Sequence, residues 1–266
     1  MARPGTRLPV VFLGHGNPMY AIQSNRYTEA WADLGETLAR PTAIVAVSAH
    51  WFEAGTAVTS MAHPRTIHDF GGFPDALFQV EYPAPGSPAL ADRLRAMLDG
   101  SGLMDGPTGA DLGWGLDHGT WSVLRHLYPS ADVPVVQLSI DAGRPGADHR
   151  RLGSALTALR HQGVLVVASG NVVHNLAAAQ FGDGVPAADW ASRFEDEVAL
   201  RLVAGDWEGL DDPASFGPDA RRSVPTPEHY LPLLYALGAA TPDEPVRIIT
   251  RGIDAASISM LSVVVG

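Results

Sequence analysis

The feature that most constrains the fold of this 266-residue chain is a series of short apolar runs, rich in Val, Ile and Leu. The runs of strand length cover residues 10–13, 43–47, 133–138, 164–168, 246–250 and 257–265. They lack the polar alternation of a half-exposed strand, which is typical of strands that are covered on both faces. The runs therefore predict a buried central sheet.

The segments between these runs have the periodicity of helices. They cover residues 27–39, 88–98, 120–127, 148–160, 188–204 and 232–237. Alternating strands and helices predict an α/β fold with a mostly parallel or mixed central sheet and helices on both faces. Because the sequence contains no internal repeat and no clear linker, we predict one domain over residues 1–266.

The composition excludes several kinds of chemistry. The chain has no cysteine and no lysine, so it offers no thiolate ligand or nucleophile and no lysine for a Schiff base or a phosphate-binding loop. Its formal net charge of -11 argues against a nucleic-acid partner, which binds basic surfaces. The groups left for catalysis or metal binding are ten histidines, the carboxylates and the hydroxyls.

The lengths of the apolar runs also bear on where the protein works. No run reaches the roughly 20 apolar residues that span a bilayer. The apolar run near the start of the chain is too short for a signal peptide. We therefore expect a cytoplasmic protein without a membrane partner.

Histidines follow three of the predicted strands near the point where each strand ends. His15 and His50 follow the first two runs, and His174 follows the fourth. Because ligands of open α/β sheets bind at the carboxyl ends of the strands, we expect these imidazoles to meet in one pocket. Imidazole is a common metal ligand, and a cysteine-free histidine site, with or without a carboxylate, suits zinc or non-haem iron(II).

Two further histidines are candidates from their local sequence. His118 follows Asp117, a carboxylate that could orient an imidazole. His229 follows Glu228 between prolines that stiffen the chain, so either residue is a candidate ligand. Three other histidines fall on predicted helix faces or ends and are expected to be solvated: His126, His149 and His161.

Seven segments stand out together because they span nearly the whole chain. They are GHGNPM (14–19), SAHW (48–51), HDFGGFP (68–74), EYPAPG (81–86), DHGTWSVLRHLYPSADVPVVQLSID (117–141), SGNVVHNL (169–176) and PEHYLPLL (227–234). In this order they resemble the class III extradiol ring-cleaving dioxygenases, the LigB superfamily, and within it the 4,5-DOPA extradiol dioxygenase (DODA-type) family. The resemblance implies a single α/β domain with a metal pocket at one end of the sheet.

The resemblance also implies the metal ligands. His15 and His50 correspond to the first two ligands. The third ligand is a glutamate in the better-known members, and its place in this chain falls at His229, with the neighbouring Glu228 as the alternative. A histidine there departs from the triad of two histidines and one carboxylate.

Three more histidines receive roles from the resemblance. His174 resembles the histidine beside the metal that acts as acid and base, and it is also a candidate metal ligand. His118 resembles a pocket histidine that contacts substrate or oxygen. His68 is expected to shape the substrate entrance.

The implied activity inserts both atoms of O₂ into a catechol, DOPA or a related compound, and opens the ring to a semialdehyde. Iron(II) is the expected metal for catalysis, and zinc(II) is the alternative as the bound or native metal. Two other functions fit the same ligands: a zinc-dependent hydrolase and a non-catalytic metal-binding protein on this scaffold. Metal preference and oxygen dependence discriminate among the three functions.

Overall fold

The computed structural model describes residues 7–182 and 184–266, and a mixed β-sheet forms its centre. The strands in chain order are β1 (Val10–Gly14), β2 (Ala43–Glu53), β3 (Ala57–Thr59), β4 (Gly109–Asp111), β5 (Val135–Asp141), β6 (Val164–Gly170), β7 (Val246–Thr250), β8 (Ile253–Asp254), β9 (Ile258–Ser259) and β10 (Ser262–Val265). Strands β8 and β9 pair with each other. The others form one sheet in the order β4-β3-β5-β2-β6-β1-β10-β7.

The middle of this sheet is parallel and its two sides are antiparallel. Strands β5, β2, β6 and β1 run in the same direction. Strand β3 pairs with β5, and β10 pairs with β1, in the opposite direction. Of the two arrangements that the sequence left open, mostly parallel or mixed, the sheet is mixed, and the carboxyl ends of four parallel strands lie at one edge.

The predicted helical segments all contain α-helices. In chain order the described helices are α1 (Arg26–Thr37), α2 (Asp75–Phe78), α3 (Pro88–Gly100), α4 (His118–Leu127), α5 (Gly146–Ala155), α6 (Thr157–Arg160), α7 (Asp189–Ala204), α8 (Ala220–Ser223) and α9 (Leu231–Ala239). The two short helices α2 and α8 were not predicted. None of the helices in the described part of the chain is long and apolar enough to cross a membrane.

Helices cover both faces of the sheet because successive side chains of a strand point in opposite directions. Val45 of β2 belongs to an apolar cluster with residues of α3, α5, α7 and α9. The preceding residue, Ile44, belongs to a second cluster with Trp31 of α1 and Trp121 of α4. This two-sided burial explains why the strand segments are continuously apolar.

Two predicted elements are divided in the structure. The segment 148–160 forms α5 and α6, because the N–H of Leu156 donates to the carbonyl of Gly153 in a tighter, three-residue turn. The segment 257–265 forms β9 and β10. The N–H of Met260 donates to the carbonyl oxygen of Gly252, which interrupts the β-ladder between the two strands. The pattern also missed β3 and β4, which have only three residues each.

The expectation that His149 is solvated is wrong. Its side chain is fully buried, and its Nδ1 lies 3.1 Å from the hydroxyl oxygen of Tyr235 in α9. The two helices approach closely at Gly153, where an added Cβ would lie 2.4 Å from the carbonyl oxygen of Tyr235. Close packing of α9 therefore covers a helix face that the local sequence presents as polar.

Candidate active site

A cavity of about 460 Å³ at the carboxyl ends of the parallel strands is lined by five imidazoles. His15 follows β1 directly, His50 lies near the end of β2, and His174 lies four residues beyond β6. His118 is the first residue of α4, and His229 lies two residues before α9. The structure brings together all five histidines that the sequence selected as ligands or catalytic groups.

Two glycines let backbone segments approach closely enough for these rings to meet. A Cβ atom on Gly119 would lie 2.5 Å from Oγ of Ser48 and 2.9 Å from Cδ2 of His50, so glycine lets α4 begin against β2. A Cβ atom on Gly170 would lie 2.2 Å from the carbonyl oxygen of His229. All three distances are shorter than van der Waals contact, so an added methyl group would force these segments apart.

The protonation of His15 follows from its hydrogen bonds. Ser169 donates its hydroxyl hydrogen to the carbonyl oxygen of Gly119 at 2.5 Å, because a carbonyl can only accept. The hydroxyl oxygen lies 3.0 Å from Nδ1 of His15, so it accepts the Nδ1–H of that ring. The Nε2 lone pair of His15 is therefore available to a cation.

A single carboxylate contacts both His50 and His118. Oδ2 of Asp69 lies 3.0 Å from Nδ1 of His50, and Oδ1 lies 3.0 Å from Nδ1 of His118. Burial opposes ionisation of Asp69, but the two histidine side chains outweigh it and hold the pKa of this carboxyl below its ordinary value. Because an ionised carboxylate only accepts hydrogen bonds, it favours a hydrogen on Nδ1 and a lone pair on Nε2 of each ring, although Nδ1 of His118 lies at 3.0 Å without hydrogen-bond geometry.

His229 is oriented in a similar way by its neighbour. Oε1 of Glu228 lies 3.2 Å from Nδ1 of His229 and also accepts the hydroxyl hydrogen of Thr226. Burial, followed by the charge of His174, lowers the pKa of His229 well below its ordinary value, so the ring is neutral. Its Nε2 is buried without a hydrogen-bond partner, which is unfavourable unless a cation binds there.

Ligand atoms that lie within 4.8 Å of one another, and could hold a metal ion, occur in two groups at the cavity: His15, His50 and His118, and His174, Glu228 and His229. The rings of His15, His50 and His229 connect the two groups. The ring centroids of His15, His50 and His229 are 5.1, 5.1 and 5.4 Å apart, which is close to an equilateral triangle. The Nε2 atoms of His15 and His50 are 3.2 Å apart, and both carry lone pairs that repel without a cation between them. Two nitrogens bound to zinc at about 2.0–2.1 Å in tetrahedral geometry would be about 3.3 Å apart.

The two remaining imidazoles lie beside these three rings. His118 has a donor atom within 4.8 Å of those of His15 and His50. His174 stacks on His229, with ring centroids 3.4 Å apart and planes 8° from parallel. Burial, followed by the charge of His50, lowers the pKa of His174 to about 4, so this ring is neutral at pH 7 and can accept a proton.

His68 does not line the cavity, contrary to the expectation that it shapes the entrance. Its Nε2 lies 2.9 Å from the carbonyl oxygen of Val80. Its ring packs against Phe70, Phe78 and Trp121. The Nε2 of His68 is thus used by the backbone of Val80. The ring of His68 packs against Phe70, which itself lines the cavity.

Asp117 does not orient an imidazole either. Its side chain caps α4 by accepting the N–H of Thr120 at 3.0 Å. Its other carboxylate oxygen accepts a hydrogen bond from the amide of Gln137. The carboxylate that contacts His118 is Asp69, which the sequence reasoning missed although it adjoins His68 in the segment HDFGGFP.

The remaining wall of the cavity is largely apolar and was also missed. Phe70 and Phe73 line it with ring centroids 5.4 Å apart. Leu176 and Phe181 line it as well, although their side chains are 60% and 67% exposed. A flat aromatic ring entering this cavity would pack against carbon surfaces on one side and meet imidazoles on the other.

Comparisons with known proteins agree with this geometry. Residues 10–266 match the family model described as the catalytic LigB subunit of aromatic ring-opening dioxygenase. The chain is 50% identical over 273 residues to the 4,5-DOPA dioxygenase extradiol of Escherichia coli K12, with 98% of this chain and 96% of that protein covered. It is 38% identical over 253 residues to the 4,5-DOPA dioxygenase extradiol of Beta vulgaris, with 93% and 92% covered.

A solved structure supports the same relationship. The crystal structure of an uncharacterized Escherichia coli K12 protein matches with a TM-score of 0.84 and 45% sequence identity. The match covers 98% of this chain and 100% of that one. Because the family model and the relatives extend over almost the whole chain, this protein belongs to the LigB family of aromatic ring-opening dioxygenases.

Proposed function

We propose that this protein is an extradiol dioxygenase that opens catechol rings around a metal ion held by His15, His50 and His229. Membership in a family of aromatic ring-opening dioxygenases supports the reaction class. The observation that supports this ligand set is that each ring has an acceptor 3.0–3.2 Å from Nδ1, while Nε2 of His229 is buried without a hydrogen-bond partner. Three protein ligands leave positions for a catechol and O₂.

Iron(II) is the metal that we propose for turnover. When bound, it supplies the one-electron chemistry that lets a catechol react with O₂, which redox-inert zinc does not supply. Zinc binds such a histidine site readily, so we expect it to compete with iron in the isolated protein. The family match supports this reaction over a zinc-dependent hydrolase or a silent binding protein.

We assign proton transfer to His174. Its neutral imidazole lies on the cavity wall, where it can accept a proton from a catechol hydroxyl and return that proton as the catechol ring opens. Because Nδ1 of His118 faces Asp69, its Nε2 is left to accept a hydrogen bond from the substrate. In the overall reaction both oxygen atoms enter the product, and the carbon–carbon bond beside the diol breaks.

A catechol with a single ring is the substrate class that suits the cavity. The volume of about 460 Å³ accommodates one substituted aromatic ring, and Phe70 and Phe73 offer it aromatic contacts. The relatives from Escherichia coli K12 and Beta vulgaris are named for DOPA, so DOPA is the first substrate to test. Catechol and protocatechuate test whether the amino-acid side chain of DOPA is needed.

The test is anaerobic loading with iron(II), followed by addition of O₂ and each catechol, with oxygen consumption and visible absorbance measured together. We expect one O₂ consumed per yellow product. The variant H229Q should lose metal, whereas H174Q should keep metal and lose about 10²–10⁴-fold in turnover. His161, which is exposed outside the cavity, provides the matched control H161Q with unchanged behaviour.

Three results would contradict the proposal. Absence of oxygen uptake with iron confirmed in the protein would contradict the reaction. Activity with zinc in the absence of O₂ would favour the hydrolase. Full metal binding by H229Q would contradict the ligand set.

A further inference from the structure

We infer that Asp69 is a positioning residue that orients a metal ligand and a substrate-facing imidazole with one carboxylate. Its two oxygens face different rings: Oδ2 lies 3.0 Å from Nδ1 of His50, and Oδ1 lies 3.0 Å from Nδ1 of His118. The inference concerns residues around the proposed metal site and rests on that site.

The carboxylate is fixed in this orientation by a backbone donor. The backbone N–H of His118, at the start of α4, donates to Oδ1 of Asp69 at 2.9 Å. The first N–H groups of a helix have no partner within the helix, so an acceptor placed there is held by the backbone. Oδ1 therefore stays with His118, and only Oδ2 is left for His50.

This arrangement couples the two imidazoles. The ring centroids of His50 and His118 are 3.9 Å apart, so a shift of Asp69 would displace both. Asp69 is followed by Phe70, whose ring packs against His118 at 5.4 Å and lines the cavity. The segment that forms the aromatic wall is thus anchored to the metal ligand through Asp69.

Because the carboxylate of Asp69 is held in one orientation, Asp69→Asn should change the protonation of His50 and not that of His118. The amide oxygen would remain with the backbone N–H of His118, so the amide NH₂ would face Nδ1 of His50. A donor there requires His50 to accept at Nδ1 and to carry its hydrogen on Nε2. The lone pair that points to the metal would be lost from His50, whereas His118 would keep its protonation.

The test compares Asp69→Asn with a matched control, Asp211→Asn. Asp211 is also ion-paired and mostly buried, with a side-chain exposure of 13% against 19% for Asp69, but it faces Arg150 away from the cavity. Cobalt(II) serves as the probe because its visible spectrum reports the ligands directly. We expect D69N to bind cobalt about 10–100-fold more weakly with an altered spectrum, and D211N to match the wild type.

Kinetics and nitrogen NMR separate positioning from simple loss of structure. With iron(II) and a catechol that the wild type turns over, D69N should lower kcat more than it raises KM. In ¹⁵N-histidine NMR of the metal-free wild type, His50 and His118 should carry hydrogen on Nδ1, and in D69N only His50 should change. This NMR measurement on the wild type tests the inference even if the variant folds poorly.

Two outcomes would overturn the inference. A D69N protein with the cobalt affinity, cobalt spectrum and kcat of the wild type would show that Asp69 has no positioning role. Nε2–H forms of His50 or His118 in the wild type would show the same. If the wild type itself binds no cobalt, the proposed metal site fails first, and the inference fails with it.

Discussion

The protonation of the three proposed metal ligands in the cavity follows from the atom that faces Nδ1 of each ring. A serine hydroxyl faces His15, and carboxylates face His50 and His229. Metal-binding histidines commonly donate their second N–H in this way, which fixes the ring and makes the other nitrogen a better ligand. Outside the cavity, His149 is buried with its Nδ1 beside the hydroxyl of Tyr235, so its role is different.

At the residue scale, His149 should make stability depend on pH. Burial lowers its pKa from an ordinary 6.5 to about 4, so between these values the unfolded chain binds a proton that the folded chain does not. The stabilisation from keeping this ring neutral is present above pH 6.5 and is lost as the pH falls to 4, by up to about 3 kcal/mol. Urea unfolding at several pH values, compared between the wild type and H149Q, measures it.

The pH dependence of unfolding in the wild type and in H149Q tests this prediction directly. The difference in unfolding free energy between the two proteins should shrink as the pH falls through this window, because only the wild type has the imidazole. An equal pH slope in the wild type and H149Q would show that His149 titrates normally in the folded state. The exposed His161 provides H161Q as a control that should leave the slope unchanged.

At the scale of elements, the position of α4 against β2 determines the spacing of His50 and His118. Helix α4 begins at His118, directly after the capping residue Asp117. The next residue, Gly119, faces Ser48 and His50 without a side chain in between. The start of the helix can therefore lie against the strand, and Ser169 of β6 closes the contact with a hydrogen bond to the Gly119 carbonyl.

Gly119→Ala should separate these elements. Alanine is favoured over glycine in a helix interior by about 1 kcal/mol, but here its Cβ would lie 2.5 Å from Oγ of Ser48. We expect the contact to dominate, so that G119A has a lower Tm and weaker binding of cobalt(II). Gly100, at the end of α3, has no atom within 4 Å of an added Cβ, so G100A should retain both properties. Wild-type metal affinity in G119A would contradict this explanation.

At the scale of the whole molecule, the site and the main buried ion pair lie at opposite ends of the sheet. Arg160 is fully buried, pairs with Glu244, and donates to the carbonyl of Leu8, just before β1 begins. It also donates to the carbonyl of Ala239, at the end of α9. These bonds join the start of β1, the end of α9 and the segment before β7, whereas the cavity lies beyond the other end of β1.

Glu244→Gln should therefore destabilise the fold and leave the metal site intact. Removal of one charge from a buried pair typically costs about 3–5 kcal/mol, because the remaining charge is buried without its partner. The exposed pair of Arg40 and Asp132, with side-chain exposures of 46% and 55%, provides the control D132N, for which we expect no measurable change in the free energy of unfolding. Urea unfolding and cobalt(II) titration together check both parts, and a loss of metal affinity in E244Q would contradict the separation.

The sequence by itself determined the longer strands and helices, the α/β fold class and the five cavity histidines, because these follow from local patterns of apolar residues, from strand ends and from the residues beside each histidine. Only the tertiary structure decided which atoms face these histidines. Asp69 and His118 are 49 residues apart, and Ser169 and Gly119 are 50 apart, so no local pattern relates them. The same reason explains the buried His149 and the displaced His68: their environments are formed by distant segments that pack against them.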